Sequence, residues 1–439
     1  MNRIVCLPAA LLAVFAFQVG LPERAHADAT GGSFSVLTYN VAGLPEGLSS
    51  SHPAANTPLI GARLGDHDVV HVQEDFNYHA ALYAADQHPY RTPTSGGAGI
   101  GDGLNTLSDY PYYDFARVTW NTCNGTDCLT PKGFTWSRIR LAEGVYIDFY
   151  DLHANAGTAD ADLAARRDNI SQLSRFITGN SAGNAVIVMG DTNTRYTRAG
   201  DNIRLLGTAN GLTDAWVQLV RNGTPPAQGS TALVCDAANV TDSCEVVDKV
   251  LYRSSRFVHL DLTRYDNENA RFLDAAGSPL SDHYPITARF SWALDPGLLM
   301  SDFFGGPHGT PFTDLDAIAF GAHLSQLGIR SGARVDQVGV LVSHGTRLTH
   351  GGTGGSLRTL ILASGEYLSW VVLAEGRHDG HARVFYVEFH TNLGRVLSGG
   401  TPTSDEVTFF APPGWQITAF HGRSGDEVDR LGMIYTPVA

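Results

Sequence analysis

Polar side chains suited to the hydrolysis of a phosphate ester follow a series of short apolar runs between residues 34 and 285. They are Asn40, Glu74, His153, Asp191, Asn193, Asp248, Asp282 and His283. Such hydrolysis needs a hard divalent cation held by oxygen ligands, a base that activates water, and a proton or a metal for the leaving oxygen. Carboxylates and amides in this set could bind the cation, and the histidines could transfer the protons.

Each of these residues has a simpler interpretation when it is taken alone. Asn40, Asp191 and Asn193 are common turn residues, and Glu74 could be a solvated loop acid. With 17 histidines in the chain, any single one is by default an ordinary core or surface residue. The hypothesis of one site depends on their joint occurrence, because polar residues at strand ends cluster when the strands share a sheet.

The apolar runs predict a layered α/β domain. Strands are expected at 34–39, 69–72, 145–152, 185–189 and 246–252. A helix is expected at 161–178, because the apolar residues there recur on roughly one face: Leu163, Ile170, Leu173, Phe176 and Ile177. Strands and helices mixed in this way are typical of sheets flanked by helices.

The last third of the chain predicts a separate all-β domain. Short alternating runs recur, with Gly or Pro between them, at 335–342, 357–362, 367–373, 384–389, 407–410 and 417–420. Residues 293–300 contain Pro296 and Gly297 and are interpreted as a linker. The all-β domain would then occupy residues 301–439.

The first 27 residues have the pattern of an export signal. Arg3 precedes an apolar run at 7–20, and Ala25-His26-Ala27 offers a cleavage site of small residues. The run is short for a membrane span, which needs roughly 20 apolar residues. We therefore predict a signal peptide at 1–27, no transmembrane segment, and a secreted, extracellular protein.

The cysteines agree with export. Beyond the signal the chain has two close pairs, Cys123 with Cys128 and Cys235 with Cys244. Two local disulfides are the simplest pairing in an oxidising compartment. A zinc site is the alternative, although the sequence lacks the tight C-x₂-C repeats typical of one.

The formal net charge of −14 argues against a sequence-independent nucleic-acid binder, which usually carries a basic patch. The sequence shows no basic run of that kind. A nuclease remains open, because bound Mg²⁺ can offset negative charge locally.

Four motifs, in their order along the chain, resemble the endonuclease/exonuclease/phosphatase superfamily. They are LTYNV at 37–41, VQE at 72–74, GDTN at 190–193 and SDHYP at 281–285. The resemblance, to deoxyribonuclease I, secreted neutral sphingomyelinases and inositol-polyphosphate phosphatases, implies a four-layered α/β sandwich in residues 28–292. The segment LTPKGFT at 129–135 is followed by the segment 145–154. Together these two segments look more like the sphingomyelinase and phosphatase branch than the deoxyribonuclease branch. A phospholipid substrate is therefore favoured over nucleic acid.

The same resemblance implies how the phosphate and the metal are bound. Glu74 would be the chief Mg²⁺ ligand, with Asn40 at or beside the metal; Mn²⁺ or Ca²⁺ are alternatives. Asp191 and Asn193 would bind the phosphoryl group or a second metal position. His153 would face the leaving group as an acid or as a phosphate donor.

The resemblance also implies a base. His283 would act as the general base and Asp282 would orient it, while Asp248 would support the site from behind. A histidine whose pKa lies near the working pH suits such proton transfer.

The C-terminal domain resembles the jacalin-related lectins along residues 301–437. The motifs are GGPHGTPFTD at 305–314 and GRSGDEVDRLG at 422–432. This implies a β-prism of three Greek-key sheets. It assigns Asp429 as the sugar-binding carboxylate, with backbone donors around Asp426, Glu427 and Val428 and at Gly306, which suits a ligand rich in hydroxyls.

Two residues depart from the lectin pattern. His308 replaces a usual glycine, and Glu427 stands where many relatives place an aromatic residue that packs on the sugar. The sugar is therefore left open, and a β-prism kept for docking or stability is the alternative.

Together these patterns favour a secreted, metal-dependent phosphodiesterase, sphingomyelinase-like or phospholipase C-like, that a lectin domain anchors to glycans. An extracellular nuclease of the same fold is the second hypothesis. The third is a carbohydrate-binding protein with an inactive catalytic domain, against which the intact set of candidate residues argues.

Overall fold

The computed structural model describes residues 30–96 and 100–438, so the predicted signal peptide at 1–27 lies outside the described residues. The helices are α1 (Pro53–Leu64), α2 (His79–Ala85), α3 (Asp160–Asn180), α4 (Arg204–Asn210) and α5 (Ala215–Leu219). The strands of the first domain are β1 (Gly31–Asn40), β2 (Val69–Gln73), β3 (Tyr90–Arg91), β4 (Asn105–Ser108), β5 (Tyr112–Thr119), β6 (Gly133–Ala142), β7 (Val145–His153), β8 (Ala185–Asp191), β9 (Thr213–Asp214), β10 (Asp248–Arg253), β11 (Val258–Asn267) and β12 (Ile286–Leu294).

The second domain is built from strands alone, apart from one 3₁₀ turn at Leu315–Ala317. These strands are β13 (Leu299–Met300), β14 (Phe304–Gly305), β15 (Thr310–Thr313), β16 (Leu324–Ser331), β17 (Val335–Val342), β18 (Arg347–Gly351), β19 (Ser356–Ile361), β20 (Leu368–His378), β21 (His381–Thr391), β22 (Val396–Gly400), β23 (Glu406–Phe410), β24 (Trp415–Ser424) and β25 (Val428–Pro437). Two further 3₁₀ turns, Gly125–Leu129 and Asn269–Arg271, belong to the first domain.

Two six-stranded sheets pack face to face in the first domain. Their strand orders are β11-β12-β1-β2-β4-β3 and β5-β6-β7-β8-β10-β9. The central strands are buried on both faces, which explains their continuous apolar sequences. Between the sheets, the ring of Phe34 lies 6.3 Å from that of Phe149, and His71 lies 6.0 Å from Phe149.

Helices cover the outer faces of both sheets. Ile60 of α1 and Leu82 of α2 share a buried cluster with Tyr39 of the first sheet. On the other side, Phe176 of α3 lies 5.0 Å from Phe134 of the second sheet, measured between ring centroids. The predicted four-layered α/β sandwich is confirmed, and so are its five predicted strands and the helix expected at 161–178.

The strand register brings the candidate residues to one edge of the sandwich. Parallel β1 and β2 place Asn40 beside Gln73, the residue before Glu74. Parallel β7 and β8 place His153 beside Asp191, and antiparallel β10 places Asp248 on the other side of Asp191. Three predicted site residues thus form one row across the second sheet.

The second domain is a β-prism with three groups of four or five strands. One group is the sheet β18-β17-β16-β19, and a second is β22-β21-β20-β23. The third group is β15-β24-β25 with β13 and β14, and it joins the second group through the single pair Leu368–Ile417. The predicted all-β architecture is confirmed.

The two domains are packed tightly against each other. Arg140 of β6 donates to the carboxylate of Asp302 at 2.9 and 2.7 Å, and the hydroxyl of Tyr146 donates to it at 2.7 Å. These contacts lie at the end of the second sheet that is opposite to His153. In the segment 293–300, residues 293–294 belong to β12 and residues 299–300 to β13.

Both predicted disulfides are present, Cys123–Cys128 and Cys235–Cys244. The four sulfurs are therefore unavailable as zinc ligands, and the zinc alternative is wrong. Among residues 30–96 and 100–438, no helix has the length and hydropathy needed to cross a bilayer.

Candidate active site

Glu74 and Asp191 lie on opposite sheets and converge on one amide group. The Nδ2 atom of Asn40 donates to Glu74 Oε1 at 3.1 Å and to Asp191 Oδ2 at 3.2 Å. The Oδ1 atom of Asn40 accepts from the backbone N–H of Ala42 at 3.0 Å. Asn40 is fully buried, whereas the Glu74 side chain is 21% exposed and can meet a ligand from solvent.

This donor set fits a hard divalent cation. Two carboxylates of separate sheets face each other, and oxygen ligands of this kind are those that Mg²⁺ prefers. Asp191, Asp248 and His283 also bring one ligand atom each within 4.8 Å of one another. Asn40 presents its Nδ2 atom to the two carboxylates and its Oδ1 atom to Ala42, so metal ligation by Asn40 stays a prediction, as does ligation by Glu74.

Backbone conformation marks two of the predicted residues. Glu74 has φ +57° and Asn193 has φ +50°, values in the left-handed region that residues other than glycine seldom adopt. Such strain persists where the surrounding structure holds it, often at functional sites. At Asn193, the side-chain Nδ2 donates to the Ala154 carbonyl at 3.1 Å and the backbone N–H donates to Asp191 Oδ1 at 2.9 Å.

His283 is held by Asp248, which corrects the predicted orienting role of Asp282. The Nδ1 atom of His283 lies 3.0 and 3.1 Å from the two carboxylate oxygens of Asp248. The Asp282 carboxylate instead accepts from the hydroxyl of Ser50. Asp282 and His283 therefore face different partners.

The electrostatics of this group favour a protonated His283. Burial lowers the pKa of His283, but the charges of Asp248 and Asp191 outweigh burial and raise it well above the usual value. Burial raises the pKa of Asp248. At Asp191, burial also raises the pKa, but the charges of His283 and His153 outweigh burial and hold the pKa well below its usual range. A divalent cation at these carboxylates would oppose the proton on His283 by charge repulsion.

His153 has a partner that the candidate set omitted. Its Nε2 atom lies 3.2 Å from Asp191 Oδ2 and 2.9 Å from the Nζ atom of Lys132, which also pairs with Asp127. Lys132 is 9% exposed and adds a positive charge beside the row of site residues. The signal for it was present in the LTPKGFT segment, where it had served only to distinguish branches of the superfamily.

A surface cavity opens beside these residues. It has a volume of about 310 Å³, and its lining includes Asn193, Asp248, Asp282 and His283. Val234 and Cys235, at the start of the loop closed by the second disulfide, also line it. Four of the candidate residues thus line a cavity that is open to solvent.

The predicted sugar loop lies at one end of the prism. Asp426 is exposed, Val428 is buried in the core, and Asp429 is 2% exposed. Burial raises the pKa of Asp429. The N–H of Gly306 donates to the Asp429 carbonyl at 2.7 Å, so the prediction that Gly306 offers this donor to a sugar is corrected. Gly306 is needed for close approach instead, because a Cβ there would lie 2.0 Å from the carbonyl oxygen of Ala382.

Glu427 is engaged in ion pairs within the second domain. Arg334 donates to it through Nε at 2.9 Å, and Nη1 of Arg383 lies 3.1 Å away. The hydrogen bond from Arg334 lowers the pKa of Glu427. Where many lectins of this type carry an aromatic residue, this chain therefore has a carboxylate fixed by two arginines.

Matches to two family models agree with this geometry. Residues 59–241 match the Endonuclease/Exonuclease/phosphatase family 2 model, and residues 301–434 match the Jacalin-like lectin domain. The chain thus joins a domain of the endonuclease/exonuclease/phosphatase family to a jacalin-like lectin domain.

The chain is also similar to curated proteins that are named sphingomyelinases. Over 277 residues the chain is 41% identical to a sphingomyelinase of Mycobacterium tuberculosis (strain ATCC 25618 / H37Rv), covering 61% of this chain and 54% of that protein. An equal match is found to a sphingomyelinase of Mycobacterium bovis. The chain spans about half the length of these relatives.

Solved structures are similar to each domain. Sphingomyelinase C from Streptomyces griseocarneus is 21% identical with a TM-score of 0.40, covering 59% of this chain and 99% of that one. A mannose-binding jacalin-related lectin from Ananas comosus is 26% identical with a TM-score of 0.28, covering 32% of this chain and 99% of that one.

Proposed function

We propose that this protein is a secreted, metal-dependent phosphodiesterase that cleaves sphingomyelin in the manner of a phospholipase C. The observation that carries the proposal is the convergence of Glu74, Asn40 and Asp191 beside a histidine–carboxylate pair, in a homologue of sphingomyelinases. The two disulfides support an oxidising, extracellular location.

The His283–Asp248 pair would generate the nucleophile. Because Nδ1 of His283 bonds to Asp248, its Nε2 atom is the one directed toward Asp191 and the reacting phosphate. Nε2 would accept the proton of the attacking water, and the Asp248 carboxylate would stabilise the imidazolium that forms. Asp248 also fixes the ring orientation, since it contacts Nδ1 with both oxygens.

Lys132 and His153 would act on the other side of the phosphate. Lys132 offers an ammonium group, which is suited to a phosphoryl oxygen that gains charge in the transition state. His153 lies between Lys132 and Asp191 and could protonate the leaving oxygen. Glu74 would be the chief ligand of Mg²⁺, with Asn40 at or beside the metal, and the bound ion would supply Lewis-acid polarisation of the phosphoryl group.

The first prediction concerns the substrate. We expect the mature chain to release phosphocholine from sphingomyelin vesicles in the presence of Mg²⁺, and to nick plasmid DNA at least about 100-fold more slowly. Parallel assays of both substrates, with and without EDTA, measure this directly. Mg²⁺-dependent nicking without lipid cleavage would assign the protein as a nuclease, and the absence of both activities would leave the lectin function alone.

We propose further that the lectin domain anchors the enzyme to glycans through Asp429. Tethering raises the local substrate concentration without changing the site itself. We expect Asp429→Ala to lower the rate on glycan-bearing sphingomyelin vesicles about tenfold relative to the rate on soluble p-nitrophenylphosphorylcholine. An equal fall on both substrates would contradict anchoring, because it would indicate damage to the catalytic domain.

A further inference from the structure

A single carboxylate of the catalytic domain is enclosed by arginines of the lectin domain. Asp114, on β5, is 3% exposed. Its Oδ1 atom accepts from Nη1 of Arg430 at 2.9 Å, and its Oδ2 atom lies 3.3 Å from Nη1 of Arg423. Arg138 of its own domain is 3.8 Å away but has a closer partner in Asp148, at 2.7 and 3.0 Å. Asp114 is therefore the main counter-charge for the two lectin arginines.

The same two arginines hold the loops that form the predicted sugar site. Arg423 donates to the carbonyl of His308 at 3.0 Å and to that of Gly309 at 2.8 Å. Arg430, adjacent to Asp429, donates to the carbonyl of Gly305 at 3.4 Å. The two arginines flank residues 425–429 in sequence, so they connect the opening turn of the domain with its closing loop.

The space around Asp429 leaves little freedom for these loops. A Cβ on Gly309 would lie 2.4 Å from Asp429 Oδ2, and a Cβ on Gly305 would lie 2.4 Å from the Asp429 carbonyl oxygen. A shift of the opening turn by a fraction of an ångström therefore changes the surroundings of the Asp429 carboxylate. Besides the backbone pairing at its two ends, Arg423 and Arg430 hold that turn through three of its carbonyl groups.

We infer that Asp114, a residue of the catalytic domain, is a positioning residue for the carbohydrate site of the lectin domain. A planar guanidinium takes a fixed orientation on a carboxylate, and a buried arginine that loses its counter-charge must move or be solvated. Through Arg423 and Arg430, Asp114 fixes the turn at residues 305–309 against Asp429. The inference rests on the proposed sugar binding at Asp429.

The test uses the full chain and two interface variants. Asp114→Asn keeps the size of the side chain but removes the charge that the loop arginines need. Asp302→Asn is the matched control, because Asp302 also binds an arginine across the interface, Arg140, and contacts none of the loop residues. The readouts are the Kd for methyl α-mannoside and methyl α-galactoside by calorimetry, and amide hydrogen exchange in residues 305–309 and 425–429.

We expect Asp114→Asn to weaken binding of the bound sugar about tenfold and to speed exchange in both loops, and Asp302→Asn to do neither. Asp114→Glu should restore part of the affinity. Equal effects of Asp114→Asn and Asp302→Asn, or an unchanged Kd in Asp114→Asn, would overturn the inference. The proposed sugar binding has its own failure: the unmodified chain would bind neither glycoside, or Asp429→Ala would bind as tightly as the unmodified chain.

Discussion

Replacing His283 with alanine is expected to lower kcat for sphingomyelin hydrolysis about 10³-fold, within the usual contribution of a general base. The ring has one nitrogen on Asp248 and the other directed toward Asp191, so the variant loses the proposed proton acceptor together with its orienting carboxylate contact. KM should change little, because the histidine acts on water and not on the lipid. Steady-state kinetics on mixed micelles at saturating Mg²⁺ measure both constants.

Variants of Asp248 and Asp282 distinguish which of these two residues orients the His283 ring. Asp248→Asn should lower kcat about 100-fold, since it removes the charge that stabilises the imidazolium and favours the correct tautomer. Asp282→Asn should cost less than about tenfold, because its carboxylate bonds to Ser50 and not to the ring. The reverse order of effects would mean that Asp282 orients His283 during catalysis, as the sequence had predicted.

The second large effect is expected at Glu74. Glu74→Gln should raise the Mg²⁺ concentration needed for half-maximal rate about 100-fold, because the variant loses a charged oxygen ligand. EDTA should abolish activity of the unmodified chain, and added Mg²⁺ should restore it. The rate measured against Mg²⁺ concentration gives both results.

Glu46→Gln is the matched control for this experiment. Glu46 is an exposed acid on the loop that follows Asn40; its Oε1 atom accepts from the backbone N–H of Ala54, and its Oε2 atom lies 3.9 Å from Nδ1 of His52. Its loss changes the net charge near the site equally but removes no candidate ligand. Full activity in EDTA, or equal shifts for Glu74→Gln and Glu46→Gln, would show that Glu74 does not bind the metal.

The sequence predicted the sheets and helices of the first domain well, because buried strands must be apolar on both faces and helices must be apolar on one face. The run at 185–189 and the helix expected at 161–178 correspond to β8 and α3 in the structure. The sequence could not predict which residues of separate strands are neighbours in the sheet. That Asp248 stands beside Asp191, and not behind the site, depends on antiparallel pairing of β10 with β8, a contact between distant parts of the chain.

The site contacts that the sequence did not predict also join residues that are distant along the chain. Asp282 was chosen to orient His283 because it is its neighbour in sequence, whereas the partner in space is 35 residues away. Lys132 lies in a motif that is visible in the sequence, but nothing in the sequence indicates that it lies close to His153. In the lectin domain, the departure at Glu427 was visible, but its partners Arg334, in the turn between β16 and β17, and Arg383, on β21, are distant in sequence and could not be deduced.

The lectin domain packs directly against the second sheet of the first domain. The contacts around Asp302 lie at the end of the second sheet opposite to His153, and the nine residues of β7 between the two ends span ~30 Å at the usual rise per residue. A domain on a flexible tether could bring its active site to any bond within a sphere around the captured glycan. Here the packed interface works as a rigid spacer. The glycan that captures the protein would therefore select, by its height above the bilayer, which lipid headgroups the enzyme can touch.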